Sequence, residues 1–290
     1  MGRASATAPT VIFMHLGKTG GATLRRIVRR NFPKSKVLAL RNPASAPHGF
    51  LSTLPIEHFA EFSEEERERF RFIVSHMMFG LHEFVPRAST YITLLRNPVS
   101  RAISGYKNAL DSPGHRFHEV VVSRRMDLED YLKSDLALEM DNSQMRAIVG
   151  DVVTPYGGCT TDMLERAKRS IDEHFTVVGI SERFDETLVA LRHVFGWSKL
   201  YYVQANVSPH KIPRSSIPPR TIALIEEQNR FDIELYGYAT QKFDRQIGEV
   251  PTFDRDLAHF RRGNSLYRPW GTLSYTIPVR VRSRITRSTA

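Results

Sequence analysis

Thr10-Val11-Ile12-Phe13-Met14 runs directly into His15-Leu16-Gly17-Lys18-Thr19-Gly20-Gly21-Ala22-Thr23, and Leu24, Ile27 and Val28 follow at helical spacing. A short apolar run, a glycine-bearing turn and an amphipathic helix are therefore written in that order. Such a junction aims backbone N–H groups and the positive pole of a helix dipole at one point, where an anion can sit. Lys18 adds a full positive charge, and Thr19 and Thr23 add hydroxyl donors. The turn reads as a holder for phosphate or sulfate; the bland alternative is an ordinary strand–helix connection. It is not the phosphate loop of nucleoside triphosphatases, which needs a glycine five residues ahead of Gly17, where this chain has Ile12.

Tyr91-Ile92-Thr93-Leu94-Leu95 reads as a second buried strand, ending at Arg96-Asn97-Pro98. Asn97 suits a helix N-cap and Pro98 the first helical position, and Val99, Ile103 and Tyr106 continue at helical spacing. Arg96 thus stands at the carboxyl end of a strand, where open α/β sheets bind ligands. The alternative makes it a solvated strand-end charge. Ser100 and Ser104 share a face of the following helix. Between these segments, the run Phe70 to Gly80 contains a third strand that ends at Ser75-His76. A histidine there titrates near neutrality and suits a general base, or else it is a structural imidazole held by a carbonyl. His15, just ahead of the turn, is the next candidate, for orienting the turn or contacting substrate, and His82 is a third.

Together these segments resemble the sulfotransferases that use 3′-phosphoadenosine 5′-phosphosulfate (PAPS), in the carbohydrate branch that includes heparan sulfate 2-O-sulfotransferases. The likeness covers roughly residues 10 to 245 and rests on Lys18, Thr19, Gly20, Gly21 and Thr23, then on Arg96, Pro98, Arg101, Ser104 and Tyr106. It implies that the turn from Lys18 through Ala22 to Thr23 holds the 5′-phosphosulfate, while Arg96 and Ser104 hold the 3′-phosphate. It also implies that His76 is the base and Lys18 the group that neutralises the leaving phosphate. Gly17 replaces the family's usual proline, Ala22 a hydroxyl residue, and Ser75 the glycine ahead of the histidine. Asp141-Asn142-Ser143-Gln144-Met145-Arg146 resembles a family segment near acceptor and cofactor, so Asn142 and Arg146 are candidate substrate contacts or a surface polar stripe. Gln204 to Ser208 with Lys211 resembles the late loop that closes over the cofactor, which makes Asn206 and Lys211 candidate cofactor ligands. The acceptor implied is a hydroxyl of a carbohydrate or glycolipid.

The chain has 290 residues, 41% of them hydrophobic, enough for one large α/β domain. The expected architecture is a central, mostly parallel sheet flanked by helices and related to the nucleotide kinases, over residues 1–250, followed by a basic extension at 251–290. Of the formal net charge of +10, seven positive charges fall after Asp256, from Arg261 to Arg287, with no acidic residue among them. That tail can attract an anionic surface, or it is a solvated extension. No run of eighteen apolar residues marks a membrane span, and no signal-peptide core precedes the first strand. The single cysteine, Cys159, fits a reducing compartment, so a cytoplasmic, bacterial enzyme is expected. No carboxylate or histidine cluster has metal-ligand spacing, and no metal is expected. Two rivals stand beside this reading: an ATP-dependent phosphotransferase using Lys18 with magnesium, and a non-catalytic polyanion-binding protein.

Overall fold

The computed structural model describes residues 8–40, 51–134, 136, 138–204 and 212–285, with side chains to residue 269. Five strands form one sheet: β1 (Thr10–Met14), β2 (Val37–Ala39), β3 (Phe72–Ser75), β4 (Ser89–Leu95) and β5 (Phe175–Ile180), in the order β2-β3-β1-β4-β5. Every pairing is parallel. β1 is buried along its whole length, as its unbroken apolar run requires of a strand covered on both faces. β1 pairs with β3 on one side and with β4 on the other, with Met14 level with both Ser75 and Thr93. The chain moves out to β2, returns to β3 and crosses to β4, so the order reverses about β1. In open α/β sheets that switch point, at the carboxyl ends of the strands, is where a crevice opens for ligands.

The helices are α1 (Gly21–Arg29), then α2 (Leu54–Ala60) and α3 (Glu64–Glu68) before β3, and α4 (Pro98–Asp111) after β4. Next come α5 (His118–Ser123), α6 (Leu128–Lys133), α7 (Ser143–Val149) and α8 (Thr161–His174), which leads directly into β5. After β5 follow α9 (Phe184–Phe195), α10 (Pro219–Gln228), α11 (Arg230–Gly248) and α12 (Phe253–Ile285). The start of α4 predicted from sequence is in place. Ser63 and Glu66 form a reciprocal capping box on α3, and the Asn97 side chain accepts from Ser100 N at 3.1 Å with Pro98 opening α4.

The mostly helical stretch from Ile222 to Ile247 is made of two helices, α10 and α11, which meet at Asn229. That side chain is fully buried, donates to the carbonyls of Met140 and Ile225, and stops a continuous helix from forming. Phe253, Leu257 and Phe260 are buried in the main core, so the first turns of α12 belong to it. Among the described residues no helix is long and apolar enough to cross a membrane.

Candidate active site

The turn between β1 and α1 is held open by its neighbours. Lys18 has φ +67° and Gly20 φ +86°; the left-handed region costs a non-glycine residue about 1–2 kcal/mol, so the lysine's backbone is strained. Three hydrogen bonds hold it there. The Thr19 hydroxyl donates to Leu16 O at 3.0 Å, Ser181 Oγ at the end of β5 donates to Thr19 O at 2.5 Å, and Arg96 Nη1 donates to Lys18 O at 2.9 Å. The turn's carbonyls are therefore gripped from outside. The start of α1 carries no side-chain cap and no acidic residue in its first turn, so its positive pole is left for an anion. Thr19 spends its hydroxyl proton on Leu16, which leaves the backbone N–H as its donor toward an anion. Thr23 lies one turn along, buried, with Ala22 half-buried before it.

Lys18 and Arg96 converge. Besides the guanidinium bond to Lys18 O, the Lys18 ammonium donates to Asn108 Oδ1 on α4 at 3.1 Å. Burial lowers the Lys18 pKa, the Arg96 charge lowers it further, and Glu139 pulls it back. Arg96 is likewise lowered by burial, against the attraction of Glu182. Neither cation forms an ion pair among the described residues. Two half-buried positive charges without a counter-ion are costly unless a ligand supplies the negative charge. The Arg96 backbone is fixed from both sides by one amide: Gln144 Oε1 accepts from Arg96 N and Gln144 Nε2 donates to Arg96 O, each at 2.9 Å. Ser104 follows two turns along α4, half-buried, its hydroxyl unbonded among the described residues.

His76 follows β3 and His15 follows β1, so parallel register makes them neighbours. Their rings stack with centroids 3.9 Å apart at 29°. Burial holds His15 well below its ordinary 6.5, and His76 and Arg25 push it further. Burial also lowers His76, partly offset by a hydrogen bond with the His15 backbone. Burial therefore favours the neutral form of both rings, and both Nδ1 atoms are buried without a hydrogen bond among the described residues. Gly21 owes its identity to this pair: a Cβ there would lie 1.9 Å from His15 Cδ2. The absence of a Cβ admits the imidazole against the helix start.

The Asn142 and Arg146 candidates are corrected. Asn142 is the N-cap of α7, not a member of its face, at φ +47°. Its amide donates to Asp141 Oδ1 and Gln228 O and accepts from the backbone N–H groups of Phe231 and Asp232. Arg146 is 0% exposed and spends its guanidinium on Asp141 and on the carbonyls of Asp141, Thr154 and Pro155. Both are fully committed to joining α7 to α11 and to the loop that precedes α8, which leaves them no donor for a substrate. Arg101 is also 1% exposed, drawn toward Asp232 and Glu139, and the Tyr106 hydroxyl donates to Met126 O. Asn206 and Lys211 lie outside the described residues.

The sequence reading missed Asn108, Gln144 and Ser181. Asn108 continues the four-residue series Ser100–Ser104, and Ser181 ends a strand at the ligand edge; both signals were present. Gln144 had none beyond the segment it stands in.

The carboxyl edge of the sheet thus carries a lysine without an ion pair among the described residues on the turn after β1, an arginine at the end of the adjacent β4, and a histidine at the end of β3 on the other side of β1. A family model described as galactose-3-O-sulfotransferase matches residues 2–265, and the chain belongs to that family of carbohydrate sulfotransferases. It is 24% identical over 257 residues to galactose-3-O-sulfotransferase 3 of Homo sapiens, covering 83% of this chain and 58% of that protein. It is 24% identical over 268 residues to uronyl 2-sulfotransferase of Mus musculus, covering 80% and 62%. Against galactose-3-O-sulfotransferase 2 of Sus scrofa it is 28% identical over 203 residues, covering 64% and 48%. The chain thus spans about half to three fifths of the length of these relatives.

Proposed function

We propose that the protein transfers a sulfuryl group from PAPS to a hydroxyl of a carbohydrate acceptor. The observation that carries this reading is the meeting of Lys18 and Arg96 at one turn, two cations short of negative charge at the sheet's switch point. The site fits PAPS in its donor set: the uncapped start of α1 and Lys18 suit the phosphosulfate, and Arg96 with the unbonded Ser104 hydroxyl suits the 3′-phosphate. The strand order, with β1 between β3 and β4, supports the nucleotide-kinase-like architecture expected for such enzymes.

Bound there, PAPS supplies the sulfuryl group. His76, held neutral by burial, takes the proton of the acceptor hydroxyl as its oxygen forms the new bond to sulfur. The bond from sulfur to the bridging oxygen breaks, and Lys18 neutralises the charge left on that phosphate. The products are the sulfate ester, 3′-phosphoadenosine 5′-phosphate and a protonated His76.

Titration calorimetry with 3′-phosphoadenosine 5′-phosphate in the presence of a chelator tests the donor. Tight, magnesium-independent binding is expected, whereas magnesium-dependent ATP binding would establish the phosphotransferase rival. His76→Ala should keep that affinity and lose about a hundredfold or more in labelled-sulfate transfer; unchanged transfer removes His76 as the base.

A further inference from the structure

Against the start of α1 stands one buried side chain that the transfer chemistry above does not use. The His15 backbone N–H donates to Ser75 O at 2.9 Å, which continues the β1–β3 ladder and fixes where the side chain leaves the sheet. Its ring stacks on Phe13 and on His76, with centroids 5.4 and 3.9 Å away. His15 is 6% exposed, whereas His76 is half-buried and open to a ligand. Neither nitrogen of the His15 ring has a hydrogen-bond partner among the described residues, and Nδ1 is wholly buried. The other edge of the ring lies on the helix start: a Cβ on Gly21 would stand 1.9 Å from Cδ2 and 2.3 Å from Nε2. An unpartnered nitrogen is thus held beside the first residue of an uncapped helix, where backbone N–H groups and the dipole already draw an anion. Burial, His76 and Arg25 all oppose a charge on this ring, so it offers one N–H without a positive charge.

We propose that His15 is a catalytic residue: its Nε2–H donates a hydrogen bond to an oxygen of the sulfuryl group as that group transfers at the head of α1. This rests on the sulfotransferase reading. His76 takes the acceptor proton, Lys18 neutralises the departing phosphate, and His15 steadies the group that passes between them. The acceptor oxygen–sulfur bond forms, and the bond from sulfur to the bridging oxygen breaks with its electron pair left on that oxygen. The Nε2 proton stays on the His15 ring throughout. A donor fixed before the reaction needs no reorganisation as charge shifts over the sulfuryl oxygens. The ring's neutrality serves the same step. His76 becomes positive during transfer, and a charged imidazole stacked on it would oppose that protonation.

The test follows turnover of labelled PAPS, as transfer to methyl galactoside and as release of sulfate to water. Calorimetric affinity for 3′-phosphoadenosine 5′-phosphate, which lacks the sulfuryl group, is measured alongside. Three variants separate the nitrogen from the ring. His15→Phe keeps a ring to stack on His76 and loses the donor; its kcat should fall about a hundredfold, with nucleotide affinity and acceptor KM within about threefold. His15→Ala should fall at least as far. His15→Gln loses the stack but keeps an N–H near the place of Nε2, and should regain about tenfold or more of that loss. A ring that only supports His76 would give the reverse order, with His15→Phe active and His15→Gln impaired. That order overturns the assignment, as does wild-type turnover in His15→Ala. Should His15→Phe disturb the turn, seen as lost nucleotide affinity, His15→Ala and His15→Gln decide on the same terms. A wild type that binds no nucleotide would instead overturn the sulfotransferase reading, and this assignment with it.

Discussion

Two polar regions of this molecule look alike in sequence and differ in the fold. The turn from His15 to Thr23 and the segment from Asp141 to Arg146 each place a cation near amides and hydroxyls at the start of a helix. In the second region every charge is closed off. Arg146 meets Asp141 at 2.5 Å and a row of carbonyls, and Asp232 accepts from Gln144 N and Met145 N at the head of α7. In the first, Lys18 touches only an amide oxygen and Arg96 a carbonyl, with no carboxylate paired to either among the described residues. A buried cation that has been given a counter-ion serves the fold. One held half-buried without a contacting carboxylate, as Lys18 and Arg96 are, marks a candidate anion site.

Removing each cation should break the comparison in opposite directions. Arg146→Met leaves Asp141 buried and unpaired and should cost about 3–5 kcal/mol of stability, read from the urea midpoint at constant slope. Lys18→Met should cost about a hundredfold or more in sulfate transfer while leaving the melting temperature level or raised. Stability losses of equal size in both variants would erase the distinction.

A smaller effect sharpens the role of Gly21. Alanine is the better helix former by about 1 kcal/mol, yet Gly21→Ala should destabilise by about 1–3 kcal/mol because it drives into the His15 ring. His15→Ala in the same chain should relieve most of that loss. A double-mutant cycle measures the coupling, and simple additivity would show that the ring moves aside freely.

The smallest effect lies in the pH response. With both imidazoles held below their ordinary 6.5, the unfolded chain binds more protons than the folded one as pH falls past that value. Stability is therefore fully present above about pH 6.5 and declines below it, by up to about 1.4 kcal/mol per pH unit for each buried ring. His15→Gln should flatten part of that decline in denaturant midpoints collected from pH 7 to 5. An unchanged slope would place the titration elsewhere.

Much of the fold was legible because local rules and tertiary demand agree. β1 and β4 are short, mostly apolar and β-branched runs whose central residues are buried, and Asn97 announces its helix by a cap. The break at Asn229 was not legible, since its cause is a buried amide reaching Met140 across a separation of 89 residues. The same holds in the site. Lys18, Arg96 and His76 stand at strand ends, a position that sequence reveals. That Arg146 is closed off and Arg101 sunk in the core depends on partners from other elements, which periodicity does not encode.

The strap from Ser181 to Thr19 joins residues 162 positions apart. Synthesis proceeds at roughly 5–20 residues per second, so the turn leaves the ribosome many seconds before its last support exists. β1, the sheet's middle strand, likewise waits for partners translated much later, and such long-range parallel pairing is slow to form. The nascent chain therefore carries an apolar strand with open edges until β3 and β4 have been made, a stretch that a chaperone would be expected to shelter until then.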